Sequence, residues 1–114
     1  MSQGLQKLVG QRLKSMEWSE SEIKFHLENG STIKFYAYGD CCSSSYIESL
    51  DFPDIFTDSV FLEFDIVSGP EKRDGDYDEV SSWTFYKFKT TKGMCTLSFR
   101  NDSNGYYNGC LEEF

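Results

Sequence analysis

A chain of 114 residues with a net charge of −8 and 17% aromatic residues reads as a single domain, 1–114, with one core and no material for a second. No apolar run approaches the ~20 residues of a membrane helix, and Met1 to Lys7 lacks the apolar stretch of a signal peptide, so the expectation is a soluble, cytoplasmic protein. The acidic balance argues against nucleic acid and anionic membranes as direct partners.

The first element in chain order is a short helix. Leu5, Leu8 and Val9 follow the i, i+3, i+4 spacing of one helical face, and Gly10 is a stop signal. A first strand is expected over Arg12–Trp18. Ile23, Phe25 and Leu27 then alternate with Lys24, His26 and Glu28, and after Asn29-Gly30 the alternation resumes with Ile33, Phe35 and Ala37. This predicts a β-hairpin on a two-residue turn, because both turn positions tolerate positive φ.

Ser45-Tyr46-Ile47-Glu48 has the S-x-x-E pattern of a capping box, and Ile47 and Leu50 lie three apart. The pattern predicts a second short helix, ended by Pro53. Ser59 to Val67 alternates as a strand with Val60, Leu62, Phe64 and Ile66 on one face. A charged loop is expected from Ser68 to about Glu79. Trp83–Thr90, Cys95–Arg100 and Tyr106 to about Glu112 complete the strands, separated by Thr91-Lys92-Gly93 and by Asn101 to Gly105. The fold class expected is α+β: an antiparallel sheet of about seven strands, a short N-terminal helix and one short helix inserted after the third strand.

The charge is concentrated. Residues 1–50 hold five basic and six acidic side chains and residues 81–114 hold four and three. Residues 51–80 hold two and ten, which supplies the whole −8. Spaced carboxylates there either solubilise the chain or imitate phosphates on a basic partner. Asp65, Asp74, Asp76, Tyr77, Asp78 and Glu79 are the candidate contact residues. Asp74, Asp76 and Asp78 also share the D-x-D-x-D spacing of calcium loops. Gly75 is in the wrong place for the turn, and Phe85 stands where the bidentate Glu belongs.

The remaining chemistry lies around Gly39-Asp40-Cys41-Cys42-Ser43-Ser44-Ser45. At a helix N-terminus, Cys41 or Cys42 could act as a nucleophile with His26 as base and Asp40 as orienter. The same turn could hold an anion, with Tyr38 or Tyr46 stacking on a base. The competing reading is a tight turn with packed thiols and capping serines. A zinc site from Cys41 or Cys42, Cys95, Cys110 and His26 lacks a C-x₂-C pair. Cys95 and Cys110 fit better as core residues of adjacent strands, and all four thiols are expected to be free. No metal or cofactor is expected.

Tyr38 to Glu48, with its GDCCS turn, resembles a family of small domains of unknown function encoded by bacteriophages and related mobile elements. Trp83-Thr84-Phe85-Tyr86-Lys87-Phe88 and Ser103-Asn104-Gly105-Tyr106-Tyr107 extend the resemblance over most of the chain. Some members carry His or another polar residue in the slot of Ser44, which argues further against catalysis. The resemblance implies a bacterial host, where small acidic phage proteins often inhibit host defences, anti-CRISPR proteins among them. The function expected is therefore non-catalytic binding and inhibition of a host defence or regulatory protein with a basic surface, such as a nucleic-acid-binding nuclease complex. The alternatives are a nucleotide-signal binder using Asp40–Ser45 and a cysteine-dependent enzyme.

Overall fold

The computed structural model describes residues 3–39, 44–74, 79–103 and 109–113. Strand-forming residues dominate: β1 Arg12–Trp18, β2 Glu22–Leu27, β3 Thr32–Gly39, β4 Ser44–Leu50, β5 Ser59–Asp74, β6 Glu79–Thr90, β7 Gly93–Ser103 and β8 Gly109–Glu113. All form one sheet in the order β4-β7-β6-β5-β1-β2-β3-β8, and every pair is antiparallel. Helix is confined, among the described residues, to a single turn at Gln3–Gln6 and a 3₁₀ turn at Pro53–Phe56. The fold is an antiparallel β protein, with eight strands among the described residues, which overturns the α+β reading.

The expected N-terminal helix shrinks to one turn and the expected inserted helix is absent, each for a local reason. Leu5 and Leu8 are buried as expected, but Val9 is exposed. The helix ends after one turn, and Gly10 redirects the chain at φ +84°. The capping-box segment is strand β4. Its register against β7 shifts between Ile47 and Ser49, so Ile47 faces Phe99 and Leu50 faces Leu97. A β-bulge inserts one residue, and three-residue spacing then returns to the same face of a strand. That spacing is what imitated a helix.

The Asn29-Gly30 hairpin is present, on a longer turn than its sequence suggests. Leu27 N–H donates to the Ser31 carbonyl and Gly30 N–H to the Leu27 carbonyl. The loop therefore holds Glu28, Asn29 and Gly30, and Gly30 alone takes positive φ, at +92°. This is the three-residue hairpin with a glycine at its left-handed position. Asn29 Oδ1 accepts the Ser31 N–H.

The sheet folds over at the β1–β5 junction, where only Arg12↔Val60 and Leu13↔Ser59 are paired. One half is β1-β2-β3-β8 and the other β4-β7-β6-β5. Their facing sides bury Leu13, Ile23, Phe25, Phe35, Ile47, Phe61, Phe88, Leu97 and Phe99. Phe25 sits at the centre, with ring centroids 5.4 Å from Phe56, 6.0 Å from Phe88, 6.1 Å from Phe35 and 6.3 Å from Phe61, all edge-on. Edge-on rings place the positive rim of one on the negative face of the next.

A backbone bond from the β1–β2 turn ties the halves together: Ile47 N–H of β4 donates to the Glu20 carbonyl, while Ala37 N–H of β3 donates to the Ser21 carbonyl within the first half. Tyr86 of β6 reaches across the core, where its hydroxyl oxygen accepts the Leu111 N–H of β8 at 3.1 Å. Burial pushes the pKa of this phenol up to about 12. The 3₁₀ turn plugs one end through Phe56, and its Ile55 carbonyl accepts from both Ser59 Oγ and Thr90 Oγ1. No buried side-chain polar atom is left without a partner among the described residues.

Candidate functional site

Strand β5 is far longer than the core requires. Its 16 residues pair with β6 as far as Asp74↔Glu79, and the molecule measures 50 × 24 × 21 Å. The stretch read as a charged loop from Ser68 onward is therefore strand up to Asp74. β5 and β6 form a long hairpin, the arm, whose β6 side is paired with β7 from Val80 to Thr90 and whose β5 side is the outer edge of that half. The expected face of Val60, Leu62, Phe64 and Ile66 is also broken. The register shifts between Phe61 and Glu63, so Phe61 is fully buried while Leu62 is exposed.

A second irregularity lies between Ser68 and Glu71 and accommodates Pro70, which suits a bulge because it cannot donate to the ladder. Gly69 lies under the Phe85 ring. A β-carbon added there would stand 2.6 Å from Phe85 Cε2 and 3.0 Å from the Trp83 carbonyl oxygen.

The two edges of β5 differ. One is paired with β6 throughout. The other meets β1 only at Ser59 and Val60, and beyond Phe61 no described strand covers it. Ile66 N–H donates to Oδ1 of the adjacent Asp65 at 2.9 Å, so it points away from β6. Alternation along a strand turns the N–H groups of Phe64 and Ser68 the same way. Leu62, Ile66 and Val67 are exposed beside this edge.

On the outer face of the arm, carboxylates stand opposite lysines. Glu63 is in register with Lys89, with Nζ–Oε1 at 3.9 Å, and Asp65 is in register with Lys87. With Phe64 and Met94 they line a shallow surface cleft of about 320 Å³. Asp51, also in the acidic block, accepts the Thr96 N–H at 2.7 Å. The acidic block therefore does not form one uninterrupted anionic surface. Of the six expected contact residues, Asp65 is exposed at the base of the arm. Asp74 and Glu79 close the β5–β6 ladder, and their side chains lie outside the described residues, as do Asp76, Tyr77 and Asp78 in full. The calcium reading rests on that undescribed stretch.

An outer-face cluster farther along the same half escapes the sequence reading. Arg100 of β7 lies over the Trp83 ring, 5.1 Å from its centroid. Its guanidinium pairs with Asp102 at 3.0 Å and Glu48 at 3.6 Å and donates to Ser81 Oγ. The Asp102 hydrogen bond raises the Arg100 pKa further above its already high value. Trp83 Nε1–H reaches both Glu48 oxygens at 3.4 Å. Tyr46 stands opposite Arg100, and burial pushes its phenol pKa up. The signal was present: the turn pairing Thr90 with Gly93 sets the register that brings Trp83 to Arg100.

Of the residues of the nucleophile reading, His26 alone is among those described. Both ring nitrogens of His26 are engaged, Nδ1 with Thr32 Oγ1 and Nε2 with Glu17 Oε1, each at 3.0 Å. The three side chains form a row across β1, β2 and β3 on the outer face. Asp40, Cys41, Cys42 and Ser43 lie outside the described residues. Ser44 and Ser45 begin a strand, so the helix N-terminus that was to lower a thiol pKa or hold a nucleotide is missing.

Cys95 and Cys110 are free, but their strands β7 and β8 are not adjacent. Cys95 is buried in the core and Cys110 only half-buried. Burial pushes the Cys95 pKa up to about 11 and that of Cys110 upward, away from the thiolate a nucleophile needs. No group of three metal-ligating side chains occurs among the described residues. Likewise, no helix among them is long and apolar enough to cross a membrane.

No curated protein and no solved structure matches the chain. A family model described as Domain of unknown function (DUF7448) matches residues 6–112. The match runs from the N-terminal turn through β8, so the arm and the outer-face cluster both lie within it, and the chain belongs to the DUF7448 family.

Proposed function

We propose that this domain is a non-catalytic binding protein that inhibits a bacterial host defence or regulatory protein, engaging a basic part of that partner through the β5–β6 arm. The observation that carries the proposal is the β5 edge beyond Phe61. Unpaired among the described residues, it lies inside the segment that supplies the net charge and is flanked by exposed Leu62, Ile66 and Val67. Exposed strand edges are pairing templates that proteins otherwise cover or blunt. The resemblance of the GDCCS turn to bacteriophage domains supplies the host context and, with it, the cytoplasm of a bacterium as the place of action.

The test uses a photoreactive residue at Val67 in the full chain, with the same residue at Lys14 as control. Irradiation in a bacterial lysate should crosslink one host protein from position 67 and not from position 14. The purified pair should associate more slowly as salt rises, because steering between opposite charges is screened. Equal crosslinking from both positions, or an association rate indifferent to salt, would reject the proposal.

A further inference from the structure

We propose that the β5 edge receives an extended segment of the partner as an added strand, one that alternates apolar residues with Lys or Arg. This rests on the protein-binding reading and specifies its mode. Between the bulges at Phe61/Glu63 and Ser68/Glu71 lies a regular window, Glu63 to Ser68. Its outward N–H groups belong to Phe64, Ile66 and Ser68 by the alternation fixed at Ile66. A strand laid along this window makes main-chain hydrogen bonds whatever its sequence, and alternate side chains then provide the selection.

The selection is legible on both faces of β5. Phe64 and Ile66 stand opposite Phe88 and Tyr86 on the core side. Phe64 is packed against the core and Ile66 is exposed beyond it. An added strand would have to present apolar side chains there to extend the core. Glu63 and Asp65 occupy the other face, opposite Lys89 and Lys87 of β6. An added strand on the free edge would place its own residues on the uncovered flank of those carboxylates. Lys or Arg completes an alternation of charge across the sheet, whereas Asp or Glu would face like charge.

Asp65 also acts as a guard. Its Oδ1 occupies the Ile66 N–H, and an incoming carbonyl would take over that donor and release the carboxylate to a basic side chain. One exchange thus couples backbone pairing to charge recognition.

The probe is the acetylated and amidated peptide Lys-Val-Lys-Val-Lys-Val-Lys, titrated into the full chain and followed by amide NMR shifts. Shifts confined to residues 62–69 of β5 are expected. A peptide N-methylated at alternate residues, equal in charge but deprived of one edge of donors, should bind about tenfold or more weakly. The same loss is expected for Asp65→Lys. Equal binding of the N-methylated peptide, shifts spread over other acidic surfaces, or no binding would overturn the proposal.

Ile66→Pro separates this mode from the function it rests on. It deletes an outward N–H and spares the β6 ladder, a position where an edge strand tolerates Pro. If the host protein still crosslinks to this variant while the peptide no longer binds it, binding through the arm stands and strand addition falls. Joint loss with an unchanged thermal melt supports strand addition. If the variant fails to fold, the N-methylated peptide on the native chain decides.

Discussion

Phe25→Ala is expected to be among the most damaging single truncations in this domain. The residue is fully buried, and four other rings approach it edge-on between 5.4 and 6.3 Å. Removing a buried Phe side chain costs about 3–5 kcal/mol through lost transfer free energy and the cavity left behind. The upper half of that range is expected here, because four rigid rings cannot collapse into the space. Phe25→Leu separates the contributions: it keeps most of the apolar volume and loses the ring contacts. At the low end of ~0.5 kcal/mol for each of the four contacts, their simple sum puts the cost at about 2 kcal/mol.

Phe52→Ala is the control, since that ring is 63% exposed and should change stability by no more than ~0.5 kcal/mol. A domain of this length has roughly 6–17 kcal/mol in total, so Phe25→Ala should fold with a clearly lower denaturation midpoint. Urea titration followed by the fluorescence of Trp18 and Trp83 measures it, with the slope unchanged for a loss confined to the native state. A cost for Phe25→Ala below ~2 kcal/mol, or one equal to that of Phe52→Ala, would refute the packing around this ring.

Two further outcomes follow from groups already described. Tyr86→Phe leaves the buried Leu111 N–H without its acceptor and should cost about 1–3 kcal/mol by the same titration. The folded-state pKa values of Tyr86 and Cys95 are raised to about 12 and about 11, from 10.0 and 9.0. Below those ordinary values both groups are protonated whether folded or not, and their contribution is intact. As pH rises from 9.0 toward 11 the unfolded chain sheds the Cys95 proton first, and from 10.0 toward 12 that of Tyr86, so stability declines over both windows. Denaturation midpoints against pH should show Cys95→Ala flattening the earlier decline and Tyr86→Phe the later one. Gly69→Ala sets a β-carbon against the Phe85 ring and the Trp83 carbonyl. A loss of about 1–3 kcal/mol is expected, with faster amide exchange in β5 and β6 beyond Val67 than near Phe61.

What was legible in the sequence is instructive in its pattern. β1 stands at Arg12–Trp18 as read, and the β2–β3 hairpin was visible because its alternation runs unbroken to Asn29-Gly30. The readings failed where a bulge falls inside a strand. At Ile47–Ser49 the extra residue produced helical spacing, and at Phe61–Glu63 it moved the buried ring to the position expected outside. Periodicity assumes one residue per step, and an inserted residue resets the phase. Hydrophilic composition also concealed the distal half of β5, which β6 holds by backbone pairing and not by burial. The free edge could not be foreseen, because it depends on how little of β1 lies alongside β5.

The Ile55 carbonyl has a mechanical consequence. By accepting hydroxyls from both the first residue of β5 and the last of β6, it rivets these two strand ends to the plug that Phe56 drives into the core. The β5–β6 hairpin is thereby clamped at this end, and β7 holds β6 along the rest of its length. Its heading is set before any encounter, so docking along Glu63 to Ser68 would spend little orientational freedom.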